Sequence, residues 1–267
     1  MVVVEPKALL RNADSYAVEY LGINSGMPEF SPIYYKEGLV FVSARKATRS
    51  IKRIFAWDNS PFLDLFYVEQ GAAVFGTGGN NANAERPLPL GSAYYTPATP
   101  NDANTVAHTR EQYIPPLIKA VPFSKTLNSK YHEGPSVIYN KGSKILFTRN
   151  AQRGGREDVL RLKLYAADRI GKEWRNIKEL TFNSEQYSCG HPAITEDGRM
   201  LFFVSDMPGG YGGTDLYYTI FRQGSWSKPI NAGPRINTVG DELFPFLDQK
   251  GKLYFSSDGH PGLGALD

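Results

Sequence analysis

The hydrophobic residues of this chain cluster in short runs, each preceded by a turn that contains glycine. These runs are too short for a buried helix, and their consecutive apolar positions are typical of a strand covered on both faces. The pattern therefore predicts an all-β protein. The four runs are residues 39–42 (LVFV), 145–147 (ILF), 200–204 (MLFFV) and 253–255 (LYF).

The runs belong to an internal repeat that begins with Asn-Ser or Asn-Thr. Its asparagines, Asn24, Asn128, Asn183 and Asn237, are separated by 104, 55 and 54 residues. In each unit a short strand with a proline at its start comes first, and a glycine turn and the apolar strand follow. A loop, an aspartate that opens a third strand and an outer fourth strand complete the unit. Near-equal periods of about 54 residues with several strands each predict the blades of a β-propeller.

Two positions of the repeat have an expected structural role. The turn glycine is expected to supply a positive φ between the first two strands. The aspartate is expected to accept backbone N–H bonds from its own loop. The turn glycines are Gly38, Gly142, Gly198 and Gly251, and the aspartates are Asp64, Asp158, Asp215 and Asp267.

The spacing also suggests how the chain is organised. It predicts that residues 1–15 are an N-terminal extension and that residues 16–267 form a β-propeller of four-stranded antiparallel blades that is incomplete at its C-terminus. The long first interval indicates an insertion at residues 70–116, rich in Gly, Asn and Pro, although a degenerate extra blade would also fill it. Because four repeats leave an open stack, we expect a larger ring within a longer protein.

Composition narrows the function. The net charge of +3 is spread over the chain without a basic stripe, which argues against nucleic acid as a partner. The single cysteine, Cys189, excludes an internal disulfide. No apolar run approaches the roughly 18 residues of a membrane-spanning helix.

The candidate chemistry favours a protein without enzymatic activity, metal or cofactor. The four histidines, His108, His132, His191 and His260, lack metal-ligand spacing. The glycine-rich loop 206–215 is interpreted as a turn between strands, because it has neither the oxygen ligands of a calcium loop nor a following helix. A propeller glycoside hydrolase, or a glycan-binding module, is the alternative. Its carboxylates would come from Glu29, Glu185, Asp241 and Glu242.

Exposed aromatic residues are the candidate binding groups. Rigid rings among Gly, Asn and Pro are typical of a recognition surface, although they could also fold back onto their own blade. The candidates are Phe75, Tyr94, Tyr95 and Tyr113 in the insertion, and Tyr211 and His260 in other loops.

The repeat resembles a known family. Residues 192–205 follow the TolB-type (WD-like) β-propeller pattern Pro-x4-Asp-Gly-x-x-hydrophobic-x-Phe-x-Ser. The Asn-Ser openings, the segment 57–67 and the loop 256–264 are similar to the propeller of PorE-like, OmpA-family proteins from bacteria with type IX secretion and gliding.

This resemblance, which spans about residues 16–267, implies a protein–protein interaction scaffold. It would lie in the periplasm, associated with the outer membrane, and bind components of a secretion or gliding assembly. Such proteins contact peptidoglycan through a separate OmpA-like domain, which this sequence does not contain.

Overall fold

The computed structural model describes residues 21–25, 27–45, 63–69, 118–150, 161–262 and 266. These residues form an all-β structure of four antiparallel sheets, I to IV, in chain order. Sheet I contains β1 (Glu29–Tyr35), β2 (Gly38–Ser43), β3 (Asp64–Val68) and β4 (Val121–Pro122). Sheet II contains β5 (Glu133–Tyr139), β6 (Lys144–Asn150), β7 (Leu162–Ile170) and β8 (Glu173–Glu179).

The other two sheets follow the same order of strands with differences at the outer edge. Sheet III contains β9 (Cys189–Ile194), β10 (Met200–Ser205) and β11 (Asp215–Arg222), and its outer edge is shared by β12 (Ser225–Trp226) and β13 (Ile230–Asn231). Pro229 lies between these two short strands and has no N–H for a ladder. Sheet IV contains β14 (Glu242–Leu247) and β15 (Leu253–Ser257).

The prediction of a β-propeller was wrong, whereas the all-β class is observed. Among the described residues the strands form four separate antiparallel sheets, and no sheet closes or curls into a ring. The physical reason is that a repeat period specifies the strands within one unit. It does not specify the angle at which one unit packs on the next, and that angle decides the architecture.

A bulge interrupts the pairing of the first two strands in every sheet. In each bulge, two residues of the first strand lie opposite one residue of the second strand. These pairs are Ser31-Pro32, Gly134-Pro135, His191-Pro192 and Phe244-Pro245. The conserved place of the proline within each unit follows from this geometry, because a bulge tolerates a residue without an N–H. The proline therefore lies inside the first strand, not at its start as the sequence suggested.

Three of the four turn glycines have the expected backbone conformation. Gly142, Gly198 and Gly251 have φ of 78°, 72° and 78°. Gly38 differs, since the positive φ of its turn belongs to Lys36, at 53°. Gly38 is instead needed for space, because a Cβ there would overlap the carbonyl oxygen of Val68.

The core lies between consecutive sheets. Val40, Val42 and Leu65 of sheet I pack with Ile145 and Phe147 of sheet II. The opposite face of sheet II carries a second cluster with sheet III, which includes Leu146, Leu164, Leu201, Phe203 and Tyr217. Because sheet II is covered on both faces, consecutive positions of β6 must be apolar.

Candidate functional site

A buried carboxylate opens the first strand of three sheets. Glu133 accepts hydrogen bonds from the Ser129 hydroxyl, at 2.6 Å, and the Ser129 N–H, at 3.1 Å. Glu242 accepts equivalent bonds from Thr238, together with one from the Ser257 hydroxyl at 2.8 Å. Each carboxylate therefore holds the loop that leads into its strand. Glu29 has the same role in sheet I, with Ser25 and Ser43 as its partners.

Two of these carboxylates also form buried ion pairs. Arg45 lies 3.1 Å from Glu29, and Arg149 lies 2.9 Å from Glu133. Burial nevertheless raises the pKa of Glu133 to about 7, against the lowering effects of Ser129 and Arg149. In sheet III Cys189 occupies the carboxylate position, and burial raises the pKa of its thiol to about 12.

The carboxylates that the sequence offered for glycoside hydrolysis are occupied by structural contacts. Glu29 and Glu242 hold their loops, as described above. Asp241 accepts from the N–H and the hydroxyl of Thr214, both at 2.7 Å, and Glu185 pairs with Lys163. A pair that acts on a sugar needs free oxygens facing one cleft. This arrangement does not favour the hydrolase alternative.

The repeated asparagine connects each sheet to the one before it. Its side-chain oxygen accepts the N–H of a leucine in the third strand of the preceding sheet, and its side-chain nitrogen donates to the carbonyl of the same leucine. Both bonds measure between 2.8 and 3.1 Å at all three junctions, and the leucines are fully buried. The pairs are Asn128 with Leu65, Asn183 with Leu164, and Asn237 with Leu216.

A further side chain reinforces each of these three junctions. In sheets II, III and IV, one residue lies immediately before Glu133, Cys189 or Glu242. Its side chain accepts a hydrogen bond from a backbone N–H at, or just before, the start of the third strand of the preceding sheet. The acceptors are His132 Nδ1 for Leu63, Ser188 Oγ for Leu162 and Asp241 Oδ1 for Thr214. Because the three residue types differ, the sequence alone did not reveal this contact.

The bulges of sheets III and IV meet in an aromatic cluster. The rings of His191 and Phe244 stack at 4.5 Å, and Phe30 of sheet I lies edge-on to Phe244 at 6.1 Å. Both His191 and Phe244 have positive φ, near 50°, which is rare for bulky residues. Burial lowers the pKa of His191 to about 4, so its ring is neutral at pH 7.

Sheet IV presents an exposed aromatic pair. Phe246 and Tyr254 are cross-strand neighbours in β14 and β15, with ring centroids 6.2 Å apart. Their side chains are 56% and 52% exposed. In addition, β15 pairs with β14 along one edge, and no described residue pairs with its other edge. This surface of sheet IV, formed by Phe246, Tyr254 and the outer edge of β15, is the candidate binding surface.

The predicted binding residues are dispersed. Tyr211 is 48% exposed and its N–H donates to Asp215 at 2.6 Å. His260 is engaged by neighbouring segments. Its Nε2 lies 2.7 Å from the carbonyl oxygen of Ile236, in the loop between β13 and β14, and its ring packs against Phe255 of β15. The four aromatic candidates of the predicted insertion, Phe75, Tyr94, Tyr95 and Tyr113, lie outside the described residues.

The predicted aspartates are only partly explained by the structure. Asp215 accepts N–H bonds from Tyr211 and Gly212, and Asp64 pairs with Ser43 at the start of β3. Asp158 and Asp267 lie outside the described residues. In sheet II the equivalent position, just before the leucine that binds asparagine, is Lys163.

Two further findings concern metals and membranes. The described part of the chain has no group of three or more His, Cys, Asp or Glu side chains placed to hold a metal ion. Across the same residues we find no helix with the length and apolar character to span a bilayer.

Comparison with known proteins gives a limited result. No protein-family model matches the chain, and no curated protein matches it. Among solved structures, the chain is similar to a puromycin-hydrolyzing peptidase of Mycobacterium tuberculosis, with a TM-score of 0.42 and 10% sequence identity. The match covers 87% of this chain and 28% of the peptidase, so the chain spans less than a third of that protein.

This comparison corrects the prediction that the protein has no enzymatic activity. The similar structure is named as a peptidase. A likeness with this TM-score carries no argument for a particular reaction in this chain.

Proposed function

We propose that this chain is a module that binds other proteins, and that it belongs to an OmpA-family protein associated with the outer membrane. In this proposal the module lies in the periplasm and binds a component of a type IX secretion or gliding assembly. Any contact with peptidoglycan would be made by a separate domain. The support for this setting is the sequence resemblance described above.

The observation that carries the binding role is the exposed pair Phe246 and Tyr254. Two aromatic rings more than half exposed on a sheet face leave apolar area in water, which a partner could cover. Aromatic residues contribute strongly to protein interfaces because they bury a large area at a small cost in side-chain entropy. The hydrogen-bonded sheet beneath them fixes their positions before binding.

Site-specific photo-crosslinking in the native bacterium tests this proposal. A photoreactive residue at position 246 is expected to give a discrete crosslinked protein. Tyr34 supplies the matched control, because it is also an exposed aromatic residue on a sheet, at 74%, but lies in sheet I. Crosslinked species of the same pattern at both positions, or none at position 246, would contradict the proposal.

The binding role can be measured independently with the captured partner. Phe246→Ala and Tyr254→Ala are each expected to weaken binding about tenfold or more, since a central interface aromatic contributes about 2 kcal/mol. Tyr34→Ala should leave the affinity unchanged. Fractionation of cells would test the setting, which requires the protein in the outer-membrane fraction facing the periplasm.

A further inference from the structure

One end of sheet III contains an open cleft of about 890 Å³. It lies between the turn that joins β9 to β10 and the last residues of β11, inside the continuous described stretch 161–262. Its lining includes two arginines, Arg199 and Arg222, and the ring of Phe221. Guanidinium groups bind anions and an aromatic ring binds apolar groups, so this lining suits a ligand that offers both.

Main-chain contacts fix the base of this cleft. The Phe221 N–H donates to the Arg199 carbonyl at 2.8 Å. After β11 the chain reverses through Gln223 and Gly224, whose φ values of 50° and 81° are those of a tight two-residue hairpin turn. The cross-strand neighbour of Phe221 is Trp226, and their ring centroids lie 5.0 Å apart. The groups that line the cleft therefore stand on a preformed backbone.

The two guanidinium groups are available for a ligand. Arg222 is exposed and forms no ion pair with any described residue. The Arg199 side chain is 80% exposed, and its Nε lies 3.9 Å from an Asp197 carboxylate oxygen, too far for a hydrogen bond. Asp197 is held by its own turn, where it accepts the Thr195 hydroxyl at 2.6 Å and the Arg199 N–H at 3.0 Å. Two arginines and one aspartate give the cleft a net positive charge.

Sheet II shows the same backbone arrangement with different side chains. It has the same main-chain bond and the same cross-strand tryptophan. The equivalent residues are Ser143 for Arg199, Arg169 for Phe221, Ile170 for Arg222 and Trp174 for Trp226. At this end of sheet II, Arg169 lies over the Tyr35 ring, at 5.8 Å. Lys144 binds Asp168 at 2.6 Å. The repeated structure thus forms without a guanidinium at the positions of Arg199 and Arg222, so neither is required for the fold.

The exposure of the lining selects the kind of ligand. Small molecules bind where most of their surface becomes buried. Here Phe221 is 40% exposed and Arg199 is more exposed still, so a small ligand would remain largely in water. A polypeptide segment can instead lie across the cleft and continue beyond it on both sides. Its carboxylates would match the planar guanidinium groups in charge and in geometry.

We propose that this cleft binds an acidic segment of a partner protein, in which Asp or Glu residues flank an aromatic residue. Arg199 and Arg222 each bind a carboxylate of the segment, and its aromatic side chain packs on Phe221. This site goes beyond the proposed function, because it lies in sheet III and does not involve Phe246 or Tyr254 of sheet IV.

A fluorescently labelled peptide of sequence GDEFDEG, blocked at both ends, tests the inference with the full chain. We expect saturable binding in fluorescence anisotropy, with an affinity that falls as the salt concentration rises. In NMR spectra of isotope-labelled protein, the side-chain Nε–H signals of Arg199 and Arg222 should shift as the peptide is added. The peptide GNQFNQG has nearly the same shape without the charges, and it should not bind.

Removal of one positive charge at the cleft should matter more than the same removal elsewhere. Arg199→Gln and Arg222→Gln should each weaken binding about three- to fivefold, as expected for an exposed ion pair. Lys172→Gln is the matched control, because Lys172 is an exposed cation in the equivalent hairpin turn of sheet II. It should leave the affinity unchanged. The urea midpoint of Arg222→Gln should equal that of the wild type, which separates a loss of binding from a loss of folding.

Four results would overturn the inference. The first is no saturation by about 1 mM peptide, and the second is equal binding of GNQFNQG. The third is an equal loss of affinity in Lys172→Gln and Arg222→Gln, which would show that only overall charge attracts the peptide. The fourth is a loss of binding in Phe246→Ala with none in Arg222→Gln, which would assign the peptide to sheet IV. Crosslinking at position 246 tests the proposed function separately, so either proposal can fail alone.

Discussion

The asparagine junctions allow a quantitative test of what holds the sheets together. In Asn183→Ala, two hydrogen bonds to Leu164 are lost, of 3.0 and 2.8 Å. The Leu164 carbonyl keeps a bond from the Leu180 N–H at 3.0 Å, but the Leu164 N–H loses its side-chain acceptor in a fully buried position. Two net hydrogen bonds of about 1 kcal/mol, with a further cost for the orphaned donor, give a loss of about 2–4 kcal/mol in the free energy of unfolding.

Asn24→Ala is the matched control, because it removes the same side chain from the same place in the repeat. Since Asn24 has no side-chain hydrogen bond among the described residues, we expect a change below about 0.5 kcal/mol. Asn183→Asp keeps an acceptor for the N–H of Leu164 but directs a carboxylate oxygen at the Leu164 carbonyl. It should destabilise at least as much as Asn183→Ala.

Urea denaturation measures these differences, with the midpoint giving stability and the slope reporting whether unfolding stays cooperative. Asn237→Ala should behave like Asn183→Ala, since its bonds to Leu216 are 2.8 and 2.9 Å. The reasoning fails if Asn183→Ala and Asn24→Ala differ by less than about 1 kcal/mol, a gap smaller than the one predicted from these contacts.

Other predictions follow from single positions. The folded pKa of His191, about 4, lies below its ordinary value, so its contribution to stability is lost as pH falls from 6.5 towards 4. This loss amounts to about 3 kcal/mol in the free energy of unfolding. In His191→Asn, the urea midpoint should no longer show this decrease as the pH is lowered. The pKa of Glu133 in the folded protein, about 7, lies above its ordinary value of 4.5. Its contribution to the free energy of unfolding is therefore lost as the pH rises from 4.5 to 7. Glu133→Gln should therefore flatten the decline between pH 4.5 and 7; an unchanged slope would contradict the assigned burial. Gly38→Ala should lower the melting temperature by several degrees through overlap with Val68, whereas an unchanged temperature would refute the close approach. The Cys189 thiol should resist a thiol reagent at pH 8 until the protein is unfolded, and rapid modification of the folded protein would refute its burial.

The local structure was largely predictable from the sequence. The four apolar runs lie within β2, β6, β10 and β15, and the glycine turns and the outer fourth strand of sheet II were found close to their expected places. Short-range patterns determine these features, because turn chemistry and burial on both faces constrain neighbouring residues in the chain.

Alignment within the repeat was less reliable. Counting three residues back from the proline reaches Glu29 and Glu242 in sheets I and IV but His132 in sheet II, because Glu133 lies only two residues before Pro135. Similarly, Asp158 was expected where Lys163 is found. Only the strand pairing, which is a contact between residues distant in sequence, fixes these registers.

The sequence by itself determined the all-β class, the repeated unit and the regular recurrence of its asparagines, because each depends on neighbouring residues. Only the tertiary structure decided how the sheets are assembled, which carboxylates are buried, and that Phe246 and Tyr254 are exposed. The physical reason is that exposure and inter-sheet contact depend on the angle and distance between separate units. A repeat period contains no information about either.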